Sequence, residues 1–394
     1  ERALGAYRAP ALDGLPPLHG GAVGYLGYDV AGYVERLPRT TTDDLGFPEM
    51  AMLFTGRLLV FDHLRQRLTV ICNVAIGDSP ERQYDEAVAG AEEIIARLAS
   101  TPTHSTPVSP SLDAEPQNVR SSMTPEQFHE AVATAKERIA AGDIFQVVLS
   151  QRFEMDTQAD PFDVYRVLRL INPSPYMFFL KLPELAVVGS SPEPLLKVLG
   201  REAVSRPIAG TRWRGATEDE DRALADALLA DEKERAEHVM LVDLARNDLG
   251  RVCTPGTVKV AELMRVERYS HVMHIVSEVR GTLDQERSVM DALKAAFPAG
   301  TVSGAPKIRA MQIIDALEPT RRGPYAGAVG YLDFSGNLDT CITLRTALIA
   351  NGTAYVQAGA GIVADSDPAY EERECRNKAR ALLAAVRAAE DLSG

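Results

Sequence analysis

Apolar residues recur along this chain with two periods, and the places where the period changes mark its elements. Leu58-Leu59-Val60-Phe61 and Leu68-Thr69-Val70-Ile71 flank a polar turn and read as a β-hairpin, preceded by a glycine-rich strand from Gly20 to Tyr28. From Tyr84 to Leu98 the apolar spacing turns helical. Thr124-Pro-Glu-Gln127 is a capping box, and behind it Phe128, Ala131, Val132, Ala135 and Ile139 fall on one helix face. Strand signals follow over 145–153, 176–181 and 185–189. Helical signals follow over 160–171, after Thr217 with Glu220 as its cap, and from Asp231 to Leu249 with Gly250 as the stop. A meander is expected over 325–334, 339–349 and 353–357, turned by Ser335-Gly336-Asn337 and Asn351-Gly352, before a last helix over 368–389. Helices set between long hairpins, without strict βαβ alternation, predict an α+β fold with antiparallel sheets and helices outside.

This pattern divides the sequence into a strand-rich N-terminal lobe over 1–100, a flexible linker over 101–122 with several Pro, Ser and Thr, and a larger domain over 123–394. The 394 residues, 45% apolar and 25% charged, suffice for sizeable cores. No apolar run reaches the ~18 residues of a membrane span. The opening Glu1-Arg-Ala-Leu has neither an initiator Met nor a signal-peptide pattern, so the expectation is a cytoplasmic protein without its natural beginning. Net charge is -13, and no basic cluster interleaves with aromatics, which excludes nucleic acid as a partner. The four scattered cysteines show no Cys-x-x-Cys pair and read as reduced thiols in the core. None lies in a Gly-x-Cys-x-Gly elbow, so the chain carries no glutaminase nucleophile. The glycines of 20–28 lack the following Lys-Ser/Thr and the GxGxxG spacing of a phosphate loop.

Chemistry concentrates later. The run from Phe297 to Lys307 combines small residues, two prolines, two hydroxyls and a lysine, with Pro306 suited to the first turn of the following helix. Gly300 and Gly304 are expected to let backbone approach a ligand there, beside free N–H groups that attract anions. Glu234 and Glu237 lie one helical step apart, as do Glu371 and Glu374. Each pair reads either as a solvated acidic face or as oxygen ligands for Mg²⁺. His274, inside the apolar run Val272 to Ser277, reads either as a satisfied core residue or as an acid–base group beside a cleft. Arg345, in an expected strand from Thr343 to Thr346, needs an anion, and a ligand carboxylate would serve. Gly359-Ala360-Gly361, after a strand, offers backbone N–H groups, and Lys378 stands one turn beyond Glu374. Together these describe a pocket for a small dianion.

Six ordered motifs give the chain a resemblance to the chorismate-utilising enzymes: Pro207-Ile-Ala-Gly-Thr211, Asp231 to His238, Leu241 to Val252, Phe297 to Lys307, Gly327 to Phe334 and Gln357 to Val363. Within that family it most resembles the large subunits of anthranilate synthases, strongly from Thr124 onward and more weakly over Gly20 to Pro38. The resemblance implies two large, mostly antiparallel β-sheets packed as a sandwich with helices on the outside. It implies Mg²⁺ as cofactor and chorismate as substrate. Glu237 and Glu374 resemble the direct metal ligands, with Glu234 and Glu371 acting through water. Arg345 and Tyr325 resemble contacts to the enolpyruvyl carboxylate, and Gly359, Ala360, Gly361 and Lys378 further carboxylate-binding positions. Thr301 and Gly210 resemble positions that line the ring. Glu193 resembles the general acid at the C4 hydroxyl, and His274 the histidine tied to loss of pyruvate.

Two positions select the nucleophile. Relatives that use water carry a Lys where this chain has Gln146, and glutamine does not activate water. Aminodeoxychorismate synthases carry a nucleophilic Lys where this chain has Ala209. Ammonia remains, supplied by a glutamine amidotransferase partner or as free ammonium, which predicts conversion of chorismate to anthranilate and pyruvate in tryptophan biosynthesis. The rivals are an enzyme that stops at 2-amino-2-deoxyisochorismate, an aminodeoxychorismate synthase, and an inactive regulatory subunit that binds tryptophan. Asn172-Pro173-Ser174-Pro175-Tyr176-Met177 resembles the tryptophan-inhibitor segment and reads equally as a Pro-rich turn; the Leu-Leu-Glu-Ser stretch that completes such a pocket has no counterpart in the sequence.

Overall fold

Two antiparallel sheets organise the described residues, which in this computed structural model are 2–10, 12, 14–100, 116–269 and 272–392. Among them, one sheet has nine strands. In spatial order they are Ile208–Trp213, Val272–Thr282, Glu202–Ser205, Pro194–Leu199, Leu338–Ile342, Ala328–Asp333, Gly21–Leu26 and Met50–Thr55, with Lys259–Arg268 added against Val272–Thr282. The second has seven: Gly304–Ala305, Gln146–Asp156, Thr353–Ile362, Thr346–Ala350, Ala186–Ser191 and Tyr176–Lys181, with Arg120–Ser121 against Gln146–Asp156. The sheets pack on one another. Tyr25, Val329 and Cys341 of the first meet Leu180, Val187 and Leu348 of the second in one buried cluster. Helices cover the outside, so the architecture is the expected α+β sandwich.

The local chemistry of the helices follows their sequences. Thr124 accepts a hydrogen bond from the Gln127 N–H while the Gln127 side chain accepts from the Thr124 N–H, closing the capping box on Pro125–Ala140. Such a cap is worth ~1 kcal/mol. Phe128, Ala131, Val132 and Ala135 are all buried on the inner face of that helix. Asp231 caps Glu232–Gly250 by accepting from Lys233 N and Glu234 N. That helix does stop at Gly250, but the following Arg251 keeps a right-handed conformation, so the glycine is no left-handed cap. Pro306 is the N-cap of Lys307–Leu317, one position before the first turn.

Strands from the first hundred residues do not stand apart from the rest. Gly21–Leu26 pairs along its whole length with Ala328–Asp333 and carries Met50–Thr55 on its other edge. Only the hairpin Arg57–Asp62 with Arg67–Cys72 forms a sheet of its own among the described residues. Of the expected linker, 101–115 lies outside the described residues, and Arg120–Ser121 is tied to Glu154 and Phe153 by strand pairing.

The meander differs from expectation in one consequential way. The apolar run over 339–349 is not one strand. Leu338–Ile342 belongs to the nine-stranded sheet and Thr346–Ala350 to the seven-stranded one, so the chain crosses between sheets at Thr343–Leu344–Arg345. Periodicity is blind to such a crossing, because both strands are buried on both faces.

Candidate active site

A second chain crossing lies beside the first. Ala186–Ser191 of one sheet passes through Pro192 and Glu193 into Pro194–Leu199 of the other. The two crossings are stitched together: Ile342 N donates to Glu193 O at 3.0 Å, Ser190 N to Arg345 O at 3.1 Å, and Ser191 Oγ to Ile342 O at 2.6 Å. Arg345 is therefore not in a strand. It sits at the break with φ +46°, a left-handed backbone that non-glycine residues rarely adopt. Both side chains line a cavity of about 510 Å³. Among the described residues Arg345 has no carboxylate partner, and burial holds its guanidinium below the usual arginine range. A half-buried, unpartnered cation is costly, and an anionic ligand would relieve that cost.

Glu193 is 8% exposed and its carboxyl is pushed up to about 8 by burial. Thr301, in the short turn Gly300–Val302, donates to Glu193 Oε1 at 2.9 Å and works against that shift. The group thus keeps its proton at neutral pH, as a general acid requires. Across the cavity, His274 Nδ1 lies 2.8 Å from Gly210 O and 3.2 Å from Thr211 Oγ1. A carbonyl only accepts, so Nδ1 carries the proton and Nε2 is left as the base. Burial lowers the His274 imidazole below its ordinary value, with Arg345 adding to the shift, so it is neutral at pH 7. Gly210 has φ +64° and occupies a bulge between Ala209 and Thr211, where a Cβ would press on Glu234 Oε2 and Leu228. The bulge brings Ala209, Gly210 and Thr211 to the cavity wall together.

The acidic pairs face the same cavity from two helices, Glu234 and Glu237 on Glu232–Gly250 and Glu371 and Glu374 on Pro368–Glu390. The solvated-face reading of these pairs fails. Glu234 and Glu371 are both raised above the usual carboxylate range, first by burial and then by Glu237 and Glu374 respectively. Gln146 Nε2 donates to Glu237 Oε1 at 2.9 Å, Arg212 reaches Glu234 at 3.4 Å and Asp231 at 2.9 Å, and Lys378 pairs with Glu374 at 2.6 Å. Among the described residues, no three His, Cys, Asp or Glu side chains gather closely enough to hold a metal ion where they stand. In chemical kind, however, the donors fit Mg²⁺: they are oxygen-only, mutually repelling and partly desolvated, and the buried Gln146 Oε1 has no partner among the described residues.

Of the remaining candidates, Tyr325, Gly359, Gly361 and Lys378 line the cavity, and Lys378 Nζ donates to Gly359 O at 2.9 Å. Gly359 and Gly361 lie inside Thr353–Ile362, not after it, and Ala360 between them turns to the opposite face, where it is fully buried. Asn172, Pro173, Ser174, Tyr176 and Met177 stand outside the cavity. Asn172 ends the helix Pro161–Ile171 and accepts from Ser190 Oγ, while Tyr176 and Met177 pair with Ser191 and Ser190 in the seven-stranded sheet. Gly300 and Gly304 admit protein, not ligand: a Cβ at the first would collide with Leu244 and at the second with the Gln146 carbonyl. The Lys307 side chain is likewise engaged by protein, its Nζ donating to Asp248 at 2.8 Å and to Ala296 O at 3.2 Å. Arg212, and Gln357 at the head of the last motif, are cavity residues to which the sequence reading gave no role. Arg212 directly follows the Pro207–Thr211 motif, which was a usable signal.

The fold and the cavity are now in place, and comparison with known proteins gives the family. The model of the family described as chorismate binding enzyme matches residues 2–384, and the chain belongs to that family. It is 53% identical to anthranilate synthase component 1 of Mycobacterium bovis over 390 residues, covering 96% of this chain and 75% of that one. It is 50% identical to the protein of that name from Acetivibrio thermocellus, covering 99% and 79%. The crystal structure of anthranilate synthase component I from Streptococcus pneumoniae superposes with a TM-score of 0.87 at 40% identity, covering 96% of this chain and 83% of that one. The menaquinone-specific isochorismate synthase of Escherichia coli, at 24% identity and a TM-score of 0.71, shares the fold.

Proposed function

We propose that this protein is the chorismate-converting component of an anthranilate synthase, forming anthranilate, pyruvate and water from chorismate and ammonia. The observation that carries the reading is the pairing, in one cavity, of an unpartnered guanidinium with two acidic pairs: Arg345 for one carboxylate, and a carboxylate-held cation for the other. Glu237 and Glu374, backed by Glu234 and Glu371, would hold Mg²⁺, which when bound neutralises the ring carboxylate of chorismate.

The protein's own groups then account for the chemistry. Arg345 and Tyr325 bind the enolpyruvyl carboxylate, while Gly359, Gly361 and Lys378 border the other. Glu193 gives its proton to the C4 hydroxyl, which leaves as water while ammonia bonds to C2. The surplus ammonium proton returns to the Glu193 carboxylate. His274 Nε2 then takes the C2 proton, the C3–O bond breaks, and enolpyruvate leaves to become pyruvate as the ring turns aromatic. Gln146 donates to Glu237 and offers no base for water, and Ala209 on the cavity wall offers no amine for covalent attack. Ammonia comes from a second, glutaminase component or from free ammonium. Incubation with chorismate, Mg²⁺ and ammonium, followed by anthranilate fluorescence and pyruvate assay, tests the proposal. Equal yields of both support it; a C2 adduct that retains its enolpyruvyl group, or no reaction, defeats it.

A further inference from the structure

Behind the cavity wall lies a buried ion pair that the chemistry above does not use. Arg322 is 3% exposed and Glu318, four residues earlier and just past the helix Lys307–Leu317, 6%. They bond twice: Nε donates to Glu318 Oε2 at 2.8 Å and a terminal nitrogen to Oε1 at 2.6 Å. Burial opposes the guanidinium charge, and the carboxylate of Glu318 more than offsets it, holding Arg322 above the ordinary arginine range. A pair placed only for stability needs nothing more, and a hydrophobic replacement often serves as well.

This pair does more. The Arg322 guanidinium also donates to Val302 O and to Val148 O, each at 2.7 Å. Val302 directly follows Thr301, the donor to Glu193, and both it and Val148 line the cavity. Glu318 Oε1 meanwhile accepts from Ser150 N at 2.8 Å and Ser150 Oγ at 2.9 Å, and Ser150 Oγ accepts from Gln357 Nε2 at 2.9 Å. Gln357 is another wall residue. The guanidinium lies 4.6 Å from the Tyr28 ring centroid and 5.7 Å from that of Tyr325, which also faces the cavity. Arg322 itself does not line the cavity. One planar group thus fixes the Thr301 turn, the strand carrying Gln146 and the Tyr325 segment relative to one another.

We propose that Arg322, oriented by Glu318, is a positioning residue that sets the Thr301–Glu193 contact from behind the cavity wall. The role rests on the reading of Glu193 as the general acid. Arg322→Lys keeps a charge for Glu318 but loses the planar fork that reaches both carbonyls. The Thr301 turn then drifts, and a displacement near 1 Å costs about 100-fold in rate. Loss of the Thr301 hydrogen bond also removes the interaction that lowers the Glu193 carboxyl, so the group gives up its proton at higher pH.

The test is Arg322→Lys assayed with chorismate, Mg²⁺ and ammonium beside the unaltered protein and Thr301→Val, alone and combined. The expected result is a kcat lowered roughly 10- to 100-fold with KM within about twofold. The alkaline limb of the kcat–pH profile moves up, as in Thr301→Val, and Arg322→Lys costs almost nothing further in the Thr301→Val background. Unchanged kcat, an unmoved pH limb, or an equal loss in both backgrounds overturns the proposal. Glu318→Gln, which leaves the Arg322 carbonyl bonds available but frees the fork to turn, gives the same readouts should Arg322→Lys fail to fold. Failure of the unaltered protein to make anthranilate would instead count against the function proposed above, so the two failures are separable.

Discussion

The two walls of the cavity are built on opposite principles. One wall is helical: Glu234, Glu237, Glu371 and Glu374 project from regular helices, and their charges are met by side-chain partners such as Arg212 and Lys378. The other wall is irregular. Glu193, Arg345 and Thr301 sit on sheet crossings and a short turn, held by backbone hydrogen bonds and by the Arg322–Glu318 pair behind them. Partners on the helical wall are side chains, so on the proposed function a cation would replace them without moving backbone. On the crossing wall geometry is fixed in advance, which suits proton transfer and carboxylate orientation. On the proposed function, the helical wall would set metal dependence and the crossing wall the chemical step.

Four substitutions or conditions sharpen that contrast. The largest effect is expected for Glu374→Gln, which should remove Mg²⁺-dependent turnover, on the order of 1000-fold, while circular dichroism shows an intact fold. Glu193→Gln should cost about 100-fold or more in kcat and leave the Mg²⁺ requirement unaltered, as measured by steady-state kinetics over a range of Mg²⁺. Ala209→Lys should lower anthranilate formation roughly tenfold by crowding the ring, and unchanged kinetics would show that Ala209 does not face the substrate. The smallest effects concern pH. Because Glu193 acts protonated and its carboxyl is pushed up to about 8 by burial, kcat should fall as pH rises through that value.

The same shift has a sign for stability. A carboxyl whose folded value lies above its ordinary 4.5 costs the fold stability as pH rises from about 4.5 to about 8, the folded state resisting ionisation that the unfolded chain accepts. Glu193→Gln lacks that penalty. Its thermal midpoint should therefore overtake that of the unaltered protein across this window, by the equivalent of about 1 kcal/mol or more at pH 8. Parallel melting curves at pH 5 and pH 8 decide it.

Legibility from sequence follows the same division. Glu234 with Glu237 and Glu371 with Glu374 announce themselves, because a spacing of three on a helix is a direct statement about a shared face. The capping box at Thr124 and the turn at Asn351-Gly352 are equally local, and Asn351 and Gly352 do take the left-handed conformations that the turn demands. The crossings at Glu193 and Arg345 are not local. Nothing in Thr343-Leu-Arg-Thr346 distinguishes a continuing strand from one that changes sheet, since the deciding contacts, Ile342 to Glu193 and Ser190 to Arg345, join residues about 150 positions apart. Motif resemblance named those two residues, but only the topology explains their placement. Arg322 was illegible for a related reason. Its partners Val302 and Val148 offer backbone carbonyls, which any residue carries, so no side-chain pattern marks them.

Magnesium titration calorimetry is the most direct test of the claim that the helical wall holds a cation for the substrate. With chorismate present and ammonium withheld, binding of one Mg²⁺ per chain is expected in the unaltered protein and in Glu193→Gln, and none in Glu374→Gln. Equal Mg²⁺ binding by Glu374→Gln and the unaltered protein would contradict the account.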